Sequence, residues 1–172
     1  MDLSYIVRIV PALLRGAGVT LALFALVFPL SLPLGFLVTL CANCRFKPVK
    51  WLAEAYIFVM RGTPLMLQLF FFYYGLPFLP GIGQYLRLSS FAAAALSFTL
   101  NYAAYFAEIF RGGLLSIDRG QYEVSHVLGL TSFQTMTRII IPQMIRVTLP
   151  SIGNEAITLV KDTALVASIA LP

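Results

Sequence analysis

Long stretches without a charged side chain dominate the chain. Residues 16–44, 62–86 and 88–107 contain no Asp, Glu, Lys or Arg. A helix that crosses a bilayer needs about 20 predominantly apolar residues. These runs do not alternate as barrel strands would. The pattern therefore predicts helices, with membrane spans at about 17–42, 51–77, 89–111 and 147–170.

Local signals refine each element. Residues 1–15 interleave Tyr5, Ile6, Ile9, Val10, Leu13 and Leu14 with Arg8 and Arg15, an amphipathic pattern suited to the membrane interface. Pro11 limits its regularity, and Pro29 and Pro33 predict a kink in the first span. The second span reads as broken. Residues 51–60 lead into Arg61-Gly62-Thr63-Pro64, where Thr63 is predicted as N-cap and Pro64 as the first helical residue of a part at 64–77. Pro77, Pro80, Gly81 and Gly83 mark the following loop, and Ser89/Ser90 start the third span.

Residues 112–146 are too polar to span and read as a cytoplasmic segment of two short helices. Asp118 with Gln121 fits an N-cap and its reciprocal partner. That helix should reach about Leu128, with Gly129 just beyond its end. Thr131 with Gln134 repeats the capping pattern, and Pro142 should stop the second helix near Ile141.

Composition removes whole classes. Hydrophobic residues make up 59% and charged residues 11% of the 172, against about 45–50% and about 25% in soluble domains. Mean hydropathy is +0.87. A polytopic all-α membrane protein fits; a soluble domain or a disordered chain does not. The first span is longer than the apolar region of a cleaved signal peptide. The net charge of +5 is spread through loops, so it is no nucleic-acid footprint. Arg45, Lys47, Lys50, Arg111, Arg119, Arg138 and Arg146 fall on one side of the predicted topology, against Arg8, Arg15 and Arg87 on the other. That bias puts the N-terminus outside and residues 112–146 in the cytoplasm. Cys41 and Cys44 have neither a second pair nor a histidine cluster and read as ordinary small residues.

Candidate chemistry is narrow. There is no G-x-x-x-x-G-K-[ST] phosphate cradle, so the chain is expected to hydrolyse no ATP. His126 is the single histidine and reads as an ordinary exposed one, leaving no metal cluster and no nucleophilic triad. Charges at membrane depth face a cavity or a partner. Glu155 and Asp162 share one helix face, Asn154 and Lys161 the adjacent one, and Asn101, Tyr105 and Glu108 a face of the third span. Two such faces would line a polar cavity, with carboxylates for an ammonium group and Lys161 for a carboxylate. The structural alternative is an ion pair of Lys161 with Glu108 or with a neighbouring subunit. Thr63 would either open backbone groups to the cavity or only cap a helix. On the cytoplasmic segment Val124, Val127 and Leu128 make an apolar face suited to a partner or to the chain's own membrane domain.

One string is more specific. Gly120-Gln121-Tyr122-Glu123-Val124-Ser125, then Gly129, then Ile141-Pro142-Gln143 resembles the EAA loop of binding-protein-dependent ABC importer permeases. Arg61-Gly62-Thr63-Pro64, Ala107-Glu108-Ile109-Phe110-Arg111-Gly112-Gly113 and Lys161-Asp162-Thr163 follow the polar amino acid permease subfamily in the same order. The resemblance implies a type I importer permease fold. It implies a bacterial inner-membrane subunit that forms the pathway for polar amino acids, with ATP bound by a separate subunit and no cofactor of its own. Implied partners are a cytoplasmic ATP-binding subunit, a second permease subunit, an extracytoplasmic solute-binding protein, the amino acid and membrane lipid. Gly120, Glu123, Val124, Ser125, Leu128 and Gly129 would dock the ATPase; Thr63, Asn101, Tyr105, Glu108 and Asp162 are the expected substrate contacts. Members usually carry one further span after the Lys-Asp-Thr segment, which would lie beyond Pro172. The alternative function is a gradient-driven secondary transporter or channel subunit, whose carboxylates would bind protons or sodium.

Overall fold

The computed structural model describes residues 3–81 and 83–169. All their regular structure is helical. Helix α1 runs Leu3–Ala42, α2 Lys47–Gly62, α3 Leu65–Phe70, α4 Ser90–Leu115, α5 Arg119–Val127, α6 Ser132–Thr135 and α7 Ile141–Asp162. The expected interfacial segment and first span are one helix, with Pro11, Pro29 and Pro33 inside it. At ~1.5 Å per residue it is longer than a ~30 Å hydrocarbon core.

Helix α4 is the centre of the bundle. Its Ala93, Ala94, Phe98, Ala103, Phe106 and Ala107 are buried, and it packs against α1, α2, α3 and α7. Small residues let two backbones approach closely where no hydrophobic drive separates helix from lipid. Gly35 on α1 is one such point. A Cβ there would stand 2.7 Å from the Phe106 Cβ and 2.8 Å from the Ala103 carbonyl. The close approach lets the Thr39 hydroxyl reach the Ala107 carbonyl across the interface at 2.9 Å. Edge-to-face pairs Phe28–Phe106 and Phe36–Phe110 fill the flanks. Ser89 caps α4 by accepting from the Ala92 N–H.

Helices α2 and α3 form a broken element bent by 105°. Thr63 is not the N-cap expected of it. Pro64 is still extended, with φ −61° and ψ 134°, so α3 begins at Leu65 and Thr63 closes α2 instead. Beyond α3 a π-helical turn, Phe71–Gly75, and a 3-10 turn, Leu76–Phe78, end the element.

The second of the two expected short helices also departs from expectation. It does not stop at Ile141. Helix α6 passes through a π-helical turn, Met136–Ile140, directly into α7. Pro142 sits in the first turn of α7, where its missing N–H costs nothing. The segment is therefore one short helix, α5, and the base of a long one. The stretch expected to continue the last span leaves α-helix at Thr163 and winds as 3-10 through Ile169. The Thr163 hydroxyl lies 3.1 Å from that of Thr20 on α1.

By length and apolar content, Ile9–Ala42 qualifies as a membrane span, and Lys47–Gly62 with Leu65–Phe78 qualifies as a bent pair. Helices α4 and α7, at 26 and 22 residues, are long enough to cross but carry polar side chains.

Candidate functional site: a cavity at the helix break and the short helix α5

The bend after α2 leaves backbone carbonyls without intrahelical partners, and away from water such groups need other donors. Gln68, one turn into α3, supplies them. Its amide nitrogen donates to the Met60 carbonyl at 2.8 Å, the Thr63 carbonyl at 3.1 Å and the Thr63 hydroxyl at 2.7 Å. Asn101 of α4 donates to the same Met60 carbonyl at 3.0 Å and to the Gln68 side-chain oxygen at 3.1 Å. The Thr63 hydroxyl donates back to Val59. This network holds the break open against α4.

A cavity of about 420 Å³ lies beside it, within the usual range for a small-molecule site. Its walls are Arg61 to Leu65 at the break, Asn101, Tyr102 and Tyr105 from α4, and Glu155, Thr158 and Asp162 from α7. The α7 residues repeat at helical spacing, so one polar stripe faces inward. One Asp162 oxygen accepts from the Tyr102 hydroxyl at 2.6 Å. The cavity thus holds two carboxylates and one guanidinium. Four of the expected contacts, Thr63, Asn101, Tyr105 and Asp162, line it together.

Glu108 does not line this cavity. It accepts from Arg111 Nε at 3.0 Å and Nη2 at 2.5 Å, one turn on along α4. A second cavity of about 590 Å³ opens on this side, toward the loop between α1 and α2, and Arg61 lines both. The alternative Lys161–Glu108 pair is absent among the described residues; Lys161 is exposed. Spacing put Glu108 on the same face as Asn101, but seven residues along α4 carries it beyond the cavity floor.

Helix α5 is built differently. Asp118 accepts from the Gly120 N–H at 2.6 Å. Gln121 does not return the bond; its side chain meets Gln143 at the base of α7 at 3.2 Å. At the other end Gly129 has φ +73°. Its N–H bonds His126 while the Leu130 N–H bonds Ser125, closing a Schellman turn. Thr131 and Gln134 form the expected capping box. Val124, Val127, Leu128 and Phe133 are left exposed, Val127 at 85%. Glu123 and His126 line a neighbouring groove with Tyr122, Val127 and Leu130. Ser125 is a correction. It is fully buried, its hydroxyl donating to Gln121, so it presents no surface to a partner.

The profile of the family described as "Binding-protein-dependent transport system inner membrane component" matches residues 31–171. This chain belongs to that family. The permease is 39% identical over 171 residues to the arginine transport system permease protein ArtQ of Bacillus subtilis (strain 168), covering 99% of this chain and 76% of that protein. It is 43% identical over 173 residues to the probable amino-acid ABC transporter permease protein PatM of Vibrio harveyi, covering 95% of this chain and 73% of that one. Its fold matches a crystal structure of an amino acid ABC transporter with histidines at TM-score 0.88 and 35% identity, over 99% of this chain and 78% of that chain. The MetNI methionine ABC transporter, at 20% identity and TM-score 0.71 over 98% of this chain and 77% of that one, shares the fold. The permease is thus a membrane transport component and not itself a catalyst, and the gradient-driven alternative is not favoured.

The site residues that sequence reasoning left out are Arg61, Tyr102 and Gln68. Glu155 was legible on the face of Asp162, two turns away, though not among the expected substrate contacts, and Arg61 as part of the string at the break. Nothing in the spacing marks Gln68 as the donor that completes α2.

Proposed function

We propose that this permease subunit of an amino acid ABC importer holds its substrate in the cavity at the α2–α3 break. The supporting observation is the stripe Glu155, Thr158 and Asp162 facing Asn101 and Tyr105 across that space. The substrate's ammonium group goes to Asp162 and Glu155, where charge-assisted hydrogen bonds are strongest. Asn101 and Tyr105 supply the opposite polar wall. Tyr102 orients Asp162 by its 2.6 Å hydrogen bond, leaving the other carboxylate oxygen for substrate. Thr63 serves through its carbonyl and hydroxyl at the break and is held in place by Gln68.

The chain crosses the membrane several times, with its N-terminus outside and α5 in the cytoplasm. Helix α5 seats on a separate ATP-binding subunit through Val124, Leu128 and Gly129, with Gly120 and Glu123 at its edge. ATP and its hydrolysis stay with that subunit, and this chain carries no cofactor. An external binding protein delivers the amino acid, and a second permease subunit completes the assembly. Closure of the ATPase pair moves α5, and the Gln121–Gln143 bond together with the unbroken path from α6 into α7 carries that movement to the stripe on α7.

Reconstitution in proteoliposomes tests this. Amino acid uptake should require ATP and the ATP-binding subunit. Uptake driven by a proton or sodium gradient without that subunit would refute the assignment.

A further inference from the structure

We propose that Arg61 is the anchor for the substrate's α-carboxylate, a role that rests on reading the cavity as the amino acid site. An amino acid brings both signs of charge. The α7 stripe meets the ammonium group but repels a carboxylate, so a cation is needed within the same walls. Lys161, which the sequence offers either to a carboxylate or to a structural pair, is exposed and lines no part of the cavity. Arg61 does line it, at the end of α2.

The guanidinium is supported from behind without being used up. It lies 5.3 Å from the centre of the Tyr105 ring. Its Nη1 stands 3.6 Å from Glu108 Oε2, attractive as a charge pair but too long for a hydrogen bond. Both Glu108 oxygens are already taken by Arg111. Among the described residues no hydrogen bond occupies Arg61, so its planar fork of five donors is available to one carboxylate. Glu108 is therefore a positioning residue on the far side of the wall and not a substrate contact.

The test is equilibrium binding to the purified permease–ATPase complex, without an external binding protein, so that only the membrane site discriminates. The probes are L-arginine with L-argininamide and L-histidine with L-histidinamide, in which a neutral amide replaces the carboxylate. The expected result is at least about tenfold tighter binding of the acid than of its amide. Arg61→Gln should bring the acid down to the amide's level and leave the amide unchanged. Arg61→Lys, which keeps the charge but not the fork, should restore part of the preference. Equal binding of acid and amide by the wild-type complex overturns the proposal, as does an equal loss of both in Arg61→Gln. Asp162→Asn separates the two readings. If it leaves both probes unaffected, or if neither amino acid binds at all, the cavity reading fails and the anchor with it. If it weakens binding while wild type holds acid and amide equally, the anchor alone fails.

Discussion

The break between α2 and α3 and the helix α5 are both short interruptions of long helices, yet they are finished in opposite ways. At the break the polar groups are satisfied from within, by Gln68 and Asn101, both nearly buried. On α5 the backbone is closed by local turns, while Val124, Val127, Leu128 and Phe133 are left out in the open. A region that must keep one shape around a small molecule completes its own hydrogen bonds. On the proposed function, the region that docks another protein keeps its ends tidy and leaves its apolar face unpaired.

That contrast can be broken experimentally. The largest expected effect is from Gly129→Asp, which puts a side chain at φ +73° and a charge on the proposed docking face. ATP-driven uptake should fall by about a hundredfold, at the upper end of known coupling energies, with amino acid binding to the purified complex unchanged. Loss of binding as well would show that the two regions are not separable. Next is Asp162→Asn, which should weaken amino acid binding by roughly tenfold or more, the value of a charged hydrogen bond of ~1.5–3 kcal/mol. Assembly with the ATP-binding subunit, followed by co-purification, should be unaffected.

Gln68→Leu sharpens the first region. Removing the donor leaves the Thr63 carbonyl without its side-chain partner and the Met60 carbonyl with Asn101 alone, at a cost of about 0.6–1.7 kcal/mol for a hydrogen bond inside a membrane bundle. A lowered melting temperature of the purified permease checks it, and Asn101→Leu should add less than its own separate cost because the Asn101–Gln68 hydrogen bond is already lost in the first variant. Smallest is Gln143→Ala at the base of α7. Its bond to Gln121 is exposed, so stability should move by no more than about 0.5 kcal/mol. Uptake should nevertheless fall measurably if that contact transmits motion. Unaltered uptake would leave the α6–α7 path as the sole link.

Much of this was legible in one dimension. Ser89 starting α4, the Thr131–Gln134 capping box and Gly129 beyond α5 follow from local backbone chemistry, which needs only a few neighbouring residues. Thr63 and Pro142 misled for a common reason. Each carries a strong local signal whose outcome depended on a distant group. Thr63 became the end of α2 because Gln68 reaches back to it. Pro142 failed to stop a helix because the π-helical turn before it placed its ring in a first turn.

The sequence by itself determined that the chain is helical and membrane-embedded, where its charges are concentrated, and which helix faces are polar. Periodicity and burial cost decide those questions one element at a time. Only the tertiary structure decided which polar faces meet. It brought Arg61 from the end of α2 against the stripe on α7, sent Glu108 to Arg111 and turned Ser125 inward. Those outcomes depend on how closely α1 packs on α4 at Gly35 and on the angle at which α2 breaks, and neither is a property of any single segment.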